Sequence, residues 1–356
     1  MQAFCVAATP GKGSDSTTGN TMRLIATEEA FAPKEYLREF LKLAERVDSP
    51  GNRYLKVFYG REEMVRQLSD LDYRIEDMDR HGVDMHLLSI TAPGAQAFGA
   101  ELGGEIARIA NDTLAAEIAR RPKRFAGLAT IAPQDPAAAA LEIERAVGAL
   151  GFGGIIINSH THGEWLDDPK FWPIFEAAVP LDAPIYLHPA FPPEAMAAPY
   201  ADYGMMGALW GFGAECSLHV VRMIMGGVFD AFPTLKIVLG HLGEAVPFWL
   251  DRLDNRYQNI VRRGGLEPLG MKQLQRLPSE YFRTNFWITT SGMMSNAPLE
   301  FCLGLFGAER VMFAIDYPFE QTAEAVPFIH AAPLDAEARR LITHANAEAL
   351  FRIAPL

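Results

Sequence analysis

Eight short apolar segments, separated by stretches with helical periodicity, constrain the fold of this chain more than any other feature. The segments are 23–29, 85–91, 125–131, 153–159, 184–189, 236–241, 286–291 and 311–318. Each is bounded by turn residues and is continuously apolar, as expected for parallel strands that are buried on both faces. Eight strand–helix units predict an α/β fold, a single (β/α)8 TIM barrel. The competing doubly wound sheet would carry a G-x-G-x-x-G motif after its first strand, and we find none there.

The barrel is expected to occupy residues 22–356 as one domain. Residues 1–21 are polar and rich in glycine, which predicts a disordered lead, and Met22 is an alternative start. Two long connections, 30–60 and 190–212, follow the first and fifth strands. We expect both to be loops on the C-terminal face of the barrel, where they would wall an active site.

Composition excludes several classes of partner. The chain has 356 residues and a net charge of -12, which disfavours binding to nucleic acid or to an anionic membrane surface. No apolar run approaches the roughly 20 residues that a membrane-spanning helix needs. The three cysteines, Cys5, Cys216 and Cys302, lie far apart, and their odd number suits a reducing compartment. We therefore expect a cytoplasmic protein.

Polar side chains stand at the carboxyl ends of several predicted strands. They are Glu28, Glu29, Asn158, His160, His188, His241 and Asp316. Because these strand ends converge around one axis in a barrel, we expect a metal site at the C-terminal strand ends, with Zn2+ or Mn2+ suited to mixed imidazole and carboxylate ligands. Each residue also has a structural alternative, since a single histidine after a strand often only donates a hydrogen bond. His162, in the "HTH" segment, lies beyond the predicted strand end and is the weaker ligand candidate.

Several segments resemble a known family. "IATEEAF", "INSHT", "YLHP", "GHLGEAVPFWLDRLD" and "AIDYP" are similar to the metal-dependent aromatic acid decarboxylase branch of the amidohydrolase superfamily. This branch includes γ-resorcylate and 5-carboxyvanillate decarboxylases, and the motifs are most similar to the latter. The resemblance covers residues 22–356.

The resemblance implies a set of functional residues. One divalent ion, Mn2+ or alternatively Zn2+, would be bound by Glu28, His188 and Asp316, without an organic cofactor. Asp316 would also donate a proton, and His241 would be catalytic with Glu244 orienting it. We expect substrate contacts from Arg61, Asn158, His160, Arg252 and Tyr317, with Arg53 as the alternative to Arg61 and Phe319 as a pocket aromatic. Many relatives have a histidine where this chain has Ala30, which is why a single metal is expected.

The implied activity is the non-oxidative decarboxylation of an ortho-hydroxylated aromatic carboxylic acid. Conversion of 5-carboxyvanillate to vanillate, within the breakdown of lignin-derived aromatics, is the expected case, by protonation of the ring carbon and then loss of CO2. The alternative is a metal-dependent hydrolase of a lactone or an amide, because the same metal can activate water. A non-catalytic binding barrel is the third possibility. The expected partners are a small aromatic acid and further copies of the chain, in a homodimer or homotetramer.

Overall fold

Eight parallel strands form a sequentially ordered barrel sheet. The computed structural model describes residues 22–355, so the predicted lead 1–21 lies outside the described residues. The strands are β1 Ile25–Phe31, β2 Met85–Ile90, β3 Phe125–Thr130, β4 Gly154–Asn158, β5 Ile185–His188, β6 Ile237–Leu239, β7 Phe286–Thr289 and β8 Val311–Met312. Each strand pairs in parallel with the next one along the chain. The predicted (β/α)8 barrel is confirmed.

The seam between β1 and β8 is closed by hydrogen bonds just beyond the last regular pair of β8. The Thr27 N–H donates to the carbonyl of Phe313 at 3.1 Å, and the Ala30 N–H donates to the carbonyl of Tyr317 at 2.8 Å. The apolar run 311–318 was predicted as one strand, but regular pairing ends at Met312. The reason is local: Asp316 has a φ of 78°, a left-handed conformation that a strand does not accommodate.

Helices cover the barrel on its outer side. They are α1 Lys34–Arg46, α2 Pro50–Tyr59, α3 Glu62–Ser69, α4 Leu71–His81, α5 Ala100–Arg120, α6 Pro136–Ile143, α7 Trp172–Ala178, α8 Glu194–Ala197, α9 Gly211–Met225, α10 Val228–Ala231, α11 Val246–Arg262, α12 Pro278–Asn285, α13 Asn296–Phe306, α14 Thr322–Ala331, α15 Ala336–Arg340 and α16 Asn346–Phe351. Among helices of residues 22–355, none is long and apolar enough to cross a membrane.

The two long connections differ from the predicted loops. Residues 30–60 contain α1 and α2, because apolar side chains recur there at helical spacing: α1 buries Tyr36, Leu37 and Phe40. Residues 190–212 contain only the short helix α8, a 3-10 turn and irregular backbone. Both connections follow the carboxyl ends of strands, as expected.

Candidate active site

Three side chains from distant parts of the sequence meet inside the C-terminal mouth of the barrel. They are Glu28 on β1, His188 at the end of β5 and Asp316 after β8, and one potential ligand atom from each lies within 4.8 Å of the others. The Nε2 of His188 is 3.7 Å from the Oε1 of Glu28. Two carboxylates and one imidazole at this spacing suit a divalent cation such as Mn2+ or Zn2+.

His188 is held in the tautomer that a metal ligand requires. Its Nδ1–H donates to the carbonyl oxygen of Pro189 at 2.8 Å. The proton therefore resides on Nδ1, and the lone pair of Nε2 is directed towards Glu28. Fixing the second ring nitrogen in this way is the usual support for a metal-bound histidine.

Glu28 has one oxygen fully hydrogen-bonded and one free. Its Oε2 accepts from the hydroxyls of Tyr186 at 2.5 Å, Thr289 at 3.1 Å and Ser291. Its buried Oε1 has no hydrogen-bond partner among residues 22–355. A buried carboxylate oxygen is costly without a partner, so Oε1, which faces His188, fits a bound cation.

The electrostatic surroundings keep Glu28 ionised. Burial alone would raise the pKa of Glu28, but the imidazoles of His241 and His188 and the hydroxyls of Ser291 and Tyr186 outweigh it and lower that pKa. The carboxylate is thus anionic before any metal arrives, as a ligand must be.

His241 lies in a left-handed turn directly after β6. Residues 241–245 have φ values of 51°, 51°, 83°, 54° and 62°, and four of the five are not glycine. Each such residue is strained, and strain of this kind concentrates at functional sites. The turn brings the Nδ1 of His241 to 2.6 Å from the Oε1 of Glu244. The predicted pairing of these two residues is therefore present.

The other nitrogen of His241 faces Asp316. Its Nε2 is 3.4 Å from the Oδ2 of Asp316, and its backbone N–H donates to the Ser291 hydroxyl at 3.0 Å. Burial lowers the pKa of His241, but the charges of Glu244 and Glu28 outweigh it and hold the pKa well above its ordinary value. Burial raises the pKa of Asp316, against the effect of the hydrogen bond from His241. Both shifts therefore favour the protonated form of the group concerned.

A cavity of about 710 Å3 opens in front of these groups. Its wall is formed by side chains that include His241, Glu244, Asp316, Glu320, Leu209, Trp210, Phe212, Trp249, Met293, Arg252 and Arg256. The wall is mainly apolar. Its acidic and imidazole side chains lie beside the predicted metal ligand Asp316, and its two arginines come from α11. This volume and polarity suit a small aromatic ligand with an anionic substituent.

Comparison with known proteins identifies the family. The family model for amidohydrolases matches residues 31–353. This chain belongs to the amidohydrolase family. A γ-resorcylate decarboxylase from Polaromonas sp. is 34% identical to this amidohydrolase over 338 residues, which are 92% of this chain and 98% of that protein.

Two solved structures of 5-carboxyvanillate decarboxylases are similar to this amidohydrolase along nearly its whole length. The structure from Sphingomonas paucimobilis is 47% identical, with a TM-score of 0.89, and covers 94% of this chain and 100% of that chain. The structure from Novosphingobium aromaticivorans is 39% identical, with a TM-score of 0.90 and coverage of 96% and 100%. The latter is a complex with manganese and 4-hydroxy-3-methoxy-5-nitrobenzoic acid.

Two predicted substrate contacts, at and just after the end of β4, differ in whether they have a free hydrogen-bonding atom. Asn158 is in register with His188 on the neighbouring strand, and its Oδ1 lacks a hydrogen-bond partner within the described part of the chain. His160 uses both ring nitrogens: Nε2–H donates to the Phe191 carbonyl at 2.8 Å, and Nδ1 accepts from the Gly163 N–H at 3.0 Å. Asn158 can still accept a hydrogen bond, whereas His160 holds the backbone after β4.

Other sequence-derived candidates lie elsewhere in the amidohydrolase. The exposed Arg61 has its Cζ 5.5 Å from the ring of Phe58, and Arg53 pairs with Asp48 at 2.6 Å. The ring of Tyr317 packs against the guanidinium of Arg74, whose Cζ lies 4.5 Å from the ring centroid. Within residues 22–355 none of these three candidates belongs to the cavity wall, and neither do the exposed His162 and Phe319. Glu28, His188, Asn158 and His160 are absent from that wall as well, so the other predicted contacts stay predictions, and Arg252 is the predicted arginine that lines the cavity.

The hydroxyl groups that hold Glu28 were not among the predicted site residues. Tyr186 precedes His188 by two positions on β5, and Thr289 precedes Ser291 by two positions at the end of β7. Residues two apart on a strand face the same side, so a polar residue two positions before a predicted ligand is a usable signal for Tyr186. Ser291 carried no such signal, because no ligand was predicted on β7.

Proposed function

We propose that this chain is a metal-dependent carboxy-lyase that removes CO2 from an ortho-hydroxylated aromatic acid. The observation that carries the proposal is the free Oε1 of Glu28 beside the Nε2 of His188, with the His241–Asp316 pair next to them. The related decarboxylases support the reaction type. The 5-carboxyvanillate decarboxylase that is 47% identical favours 5-carboxyvanillate as the substrate and vanillate as the product.

Glu28, His188 and Asp316 would hold a single divalent ion, and their donor atoms fit it. Manganese is our choice of ion, since the Novosphingobium relative was solved with it. When bound, the ion supplies a positive charge that orients the substrate's phenolate and adjacent carboxylate. Ala30, at the position where the resemblance implies a histidine in many relatives, offers no donor side chain. A single ion is therefore consistent with the residues present.

The chemistry requires a proton before CO2 leaves. Direct loss of CO2 would leave an electron pair in the plane of the aromatic ring, where it is not delocalised. If the carboxylated ring carbon is protonated first, the ortho phenolate supplies electrons and becomes a ring ketone. The carbon–carboxylate bond then breaks, its electrons restore the aromatic ring and the phenolate, and CO2 leaves. One proton is consumed and no oxidant or reductant is needed.

Asp316 and His241 are placed to deliver this proton. Both line the cavity, and burial raises the pKa of Asp316, which favours its protonated form. After Asp316 gives its proton to the ring, His241 Nε2, at 3.4 Å, is the group from which it regains one. Glu244, at 2.6 Å from Nδ1, stabilises the imidazolium and fixes the ring orientation.

The cavity wall favours an aromatic acid with a second anionic group. Trp210, Phe212 and Trp249 provide apolar surface for a ring, and Arg252 and Arg256 bring positive charge one helical turn apart on α11. An arginine can bind a carboxylate through two hydrogen bonds. This arrangement fits the second carboxylate of 5-carboxyvanillate. The homodimer or homotetramer expected from the resemblance stays a prediction.

The test is decarboxylation in D2O by Mn2+-loaded protein, with a panel of hydroxybenzoates that differ in the methoxy group and the second carboxylate. We expect release of CO2 and one deuterium at the carbon that carried the carboxylate, without oxygen, NAD or pyridoxal phosphate. A product without deuterium at that carbon, or a requirement for oxygen, would refute the mechanism. Hydrolysis of a lactone or amide panel, with oxygen-18 from water in the product and no CO2 release, would favour the hydrolase.

A further inference from the structure

Glu29, next to Glu28 in sequence, lies at the seam between the first and last strands. Its side chain is fully buried. The peptide N–H of Ile315 donates to Glu29 Oε1 at 2.9 Å, and the peptide N–H of Tyr317 donates to Oε2 at 3.0 Å. These two residues flank Asp316 on either side. The Glu29 side chain therefore accepts hydrogen bonds from the peptide groups on both sides of a candidate metal ligand.

The segment that carries Asp316 needs such support. It follows the last regular pair of β8, which ends at Met312. Asp316 has a φ of 78°, a left-handed backbone conformation that is unfavourable for a non-glycine residue. This conformation persists only where the surroundings fix the adjacent peptide groups. The two hydrogen bonds to Glu29 do so from both sides.

Within the seam, the side-chain oxygens of Glu29 accept hydrogen bonds that backbone carbonyls would accept in a regular strand pair. On one side of it, Thr27 N–H donates to the Phe313 carbonyl, and on the other, Ala30 N–H donates to the Tyr317 carbonyl. Between them, the N–H groups that would meet carbonyls in a regular parallel ladder meet the Glu29 carboxylate. A bulge in β1 between Ala26 and Glu29 accompanies this change.

A buried cation accompanies the buried carboxylate. Arg74 on α4 is fully buried and donates to the carbonyls of Ala30 and Gln67. Burial raises the pKa of Glu29 to about 8, while the two peptide N–H groups and the charge of Arg74 act in the opposite direction and favour its carboxylate form. The carboxylate is thus supported on the outer side of β1, while Glu28 faces the metal group on the inner side.

We propose that Glu29 is a positioning residue that fixes the Asp316 carboxylate relative to Glu28, His188 and His241. It acts through the two peptide groups that flank Asp316 and does not touch the substrate or the metal. The inference rests on the proposed function, in which Asp316 is a ligand and the proton donor.

The test is Glu29→Gln, measured with Mn2+ as the probe. A glutamine offers one acceptor oxygen, and its NH2 group, a donor, would face the second peptide N–H, which is also a donor. One of the two peptide groups that flank Asp316 therefore loses its hydrogen bond. We expect Mn2+ affinity to fall about 10-fold or more, with a changed Mn2+ electron paramagnetic resonance spectrum. With 5-carboxyvanillate at saturating Mn2+, kcat should fall more than KM changes, because the proton donor is displaced while the cavity wall is intact.

The matched control is Glu142→Gln. Glu142 is also a buried carboxylate, accepts from Asn111 Nδ2 at 2.7 Å and pairs with Arg145, but it lies on α6 outside the cavity wall. Its variant should keep the wild-type Mn2+ affinity and spectrum. Should Glu29→Gln fail to fold, Glu29→Asp takes its place, since the shorter carboxylate reaches only one of the two N–H groups and should also weaken Mn2+ binding.

A folded Glu29 variant with wild-type Mn2+ affinity, spectrum and kcat would overturn the inference and leave Glu29 as a seam residue only. It would also be overturned if Asp316→Ala left Mn2+ affinity unchanged. Failure of the proposed function is distinguishable from both outcomes. In that case Glu29→Gln and Asp316→Ala would each weaken Mn2+ binding, yet no hydroxybenzoate would lose CO2.

Discussion

The carboxylate of Glu28 lies in close contact with the backbone of Gly240. Its two oxygens lie 2.6 Å and 2.7 Å from the point that a Cβ on residue 240 would occupy. Real Cβ atoms do not approach other atoms this closely. The glycine after β6 is therefore required by the position of a carboxylate on the opposite side of the barrel. Its own φ of -68° would suit any residue.

Gly240→Ala should displace Glu28 and weaken Mn2+ binding by about 10-fold or more, since the new methyl group occupies space next to the carboxylate. Isothermal titration with Mn2+ measures this. The control is Gly304→Ala on α13, where a Cβ meets nothing within 4 Å among the described residues. That variant should keep Mn2+ affinity and gain about 0.5–1 kcal/mol of unfolding free energy. Equal Mn2+ affinity in the two variants would contradict the steric argument.

His188→Ala should lower Mn2+ affinity by more than about 100-fold and abolish turnover, because it removes the only nitrogen ligand of the group. Metal content after dialysis and the rate of CO2 release are the measurements. His162→Ala is the matched control, since this exposed histidine lies outside the cavity wall within residues 22–355. Full metal occupancy in His188→Ala would remove His188 from the ligand set.

His241→Asn should retain Mn2+ and lower kcat by about 10²–10⁴-fold, since asparagine cannot pass a proton to Asp316 as an imidazole can. Glu244→Gln should have a smaller effect in the same direction, because the amide cannot stabilise the imidazolium by charge. Both rates are compared at saturating Mn2+ and substrate. If His241→Asn is fully active, His241 has only a structural role.

The stability of the fold should depend on pH through His219. This buried residue donates from Nδ1 to the Ser159 hydroxyl and accepts the Leu166 N–H at Nε2, and burial lowers its pKa to about 3. Because the folded pKa lies below the unfolded value of about 6.5, its contribution is present above pH 6.5 and is lost as pH falls towards 3.

Between pH 7 and pH 5 this contribution falls by about 2 kcal/mol, from the difference between the two pKa values. Urea unfolding at both pH values should therefore show a larger loss of stability for the wild type than for His219→Gln, which does not titrate. Parallel pH profiles for the two proteins would show that His219 is not buried in its neutral form.

Much of the site followed from the sequence because its ligands stand at the ends of apolar strands. Glu28, His188 and Asp316 each interrupt or terminate such a run, and barrel geometry brings strand ends together. The apolar pattern does not predict which way a side chain points once the strand has ended. Tyr317 follows Asp316 directly, yet its ring packs on Arg74 outside the cavity wall. The left-handed Asp316 reverses the alternation that a strand would impose.

The left-handed turn at 241–245 was equally unpredictable. A single glycine in "HLGEA" signals at most one left-handed residue, whereas the structure has five in succession. Hydrogen bonds from His241 to Glu244 and Ser291 sustain this conformation, and Ser291 lies 50 positions further along the chain. The predicted loop at residues 30–60 was wrong for a different reason, since this connection contains the helices α1 and α2. Their amphipathic pattern was present in the sequence, and we interpreted the length of the connection as a loop.

The seam between β1 and β8 joins the first and last described strands of the chain. Glu28 and Glu29 are therefore among the earliest residues of the barrel to be synthesised, and their partners Ile315, Asp316 and Tyr317 are among the last. Until that final segment leaves the ribosome, the Glu29 side chain lacks the two peptide N–H groups that compensate for its burial, so the seam cannot close around it earlier in synthesis. The predicted metal site is thus completed only at the last stage of translation, when the segment after β8 pairs with β1.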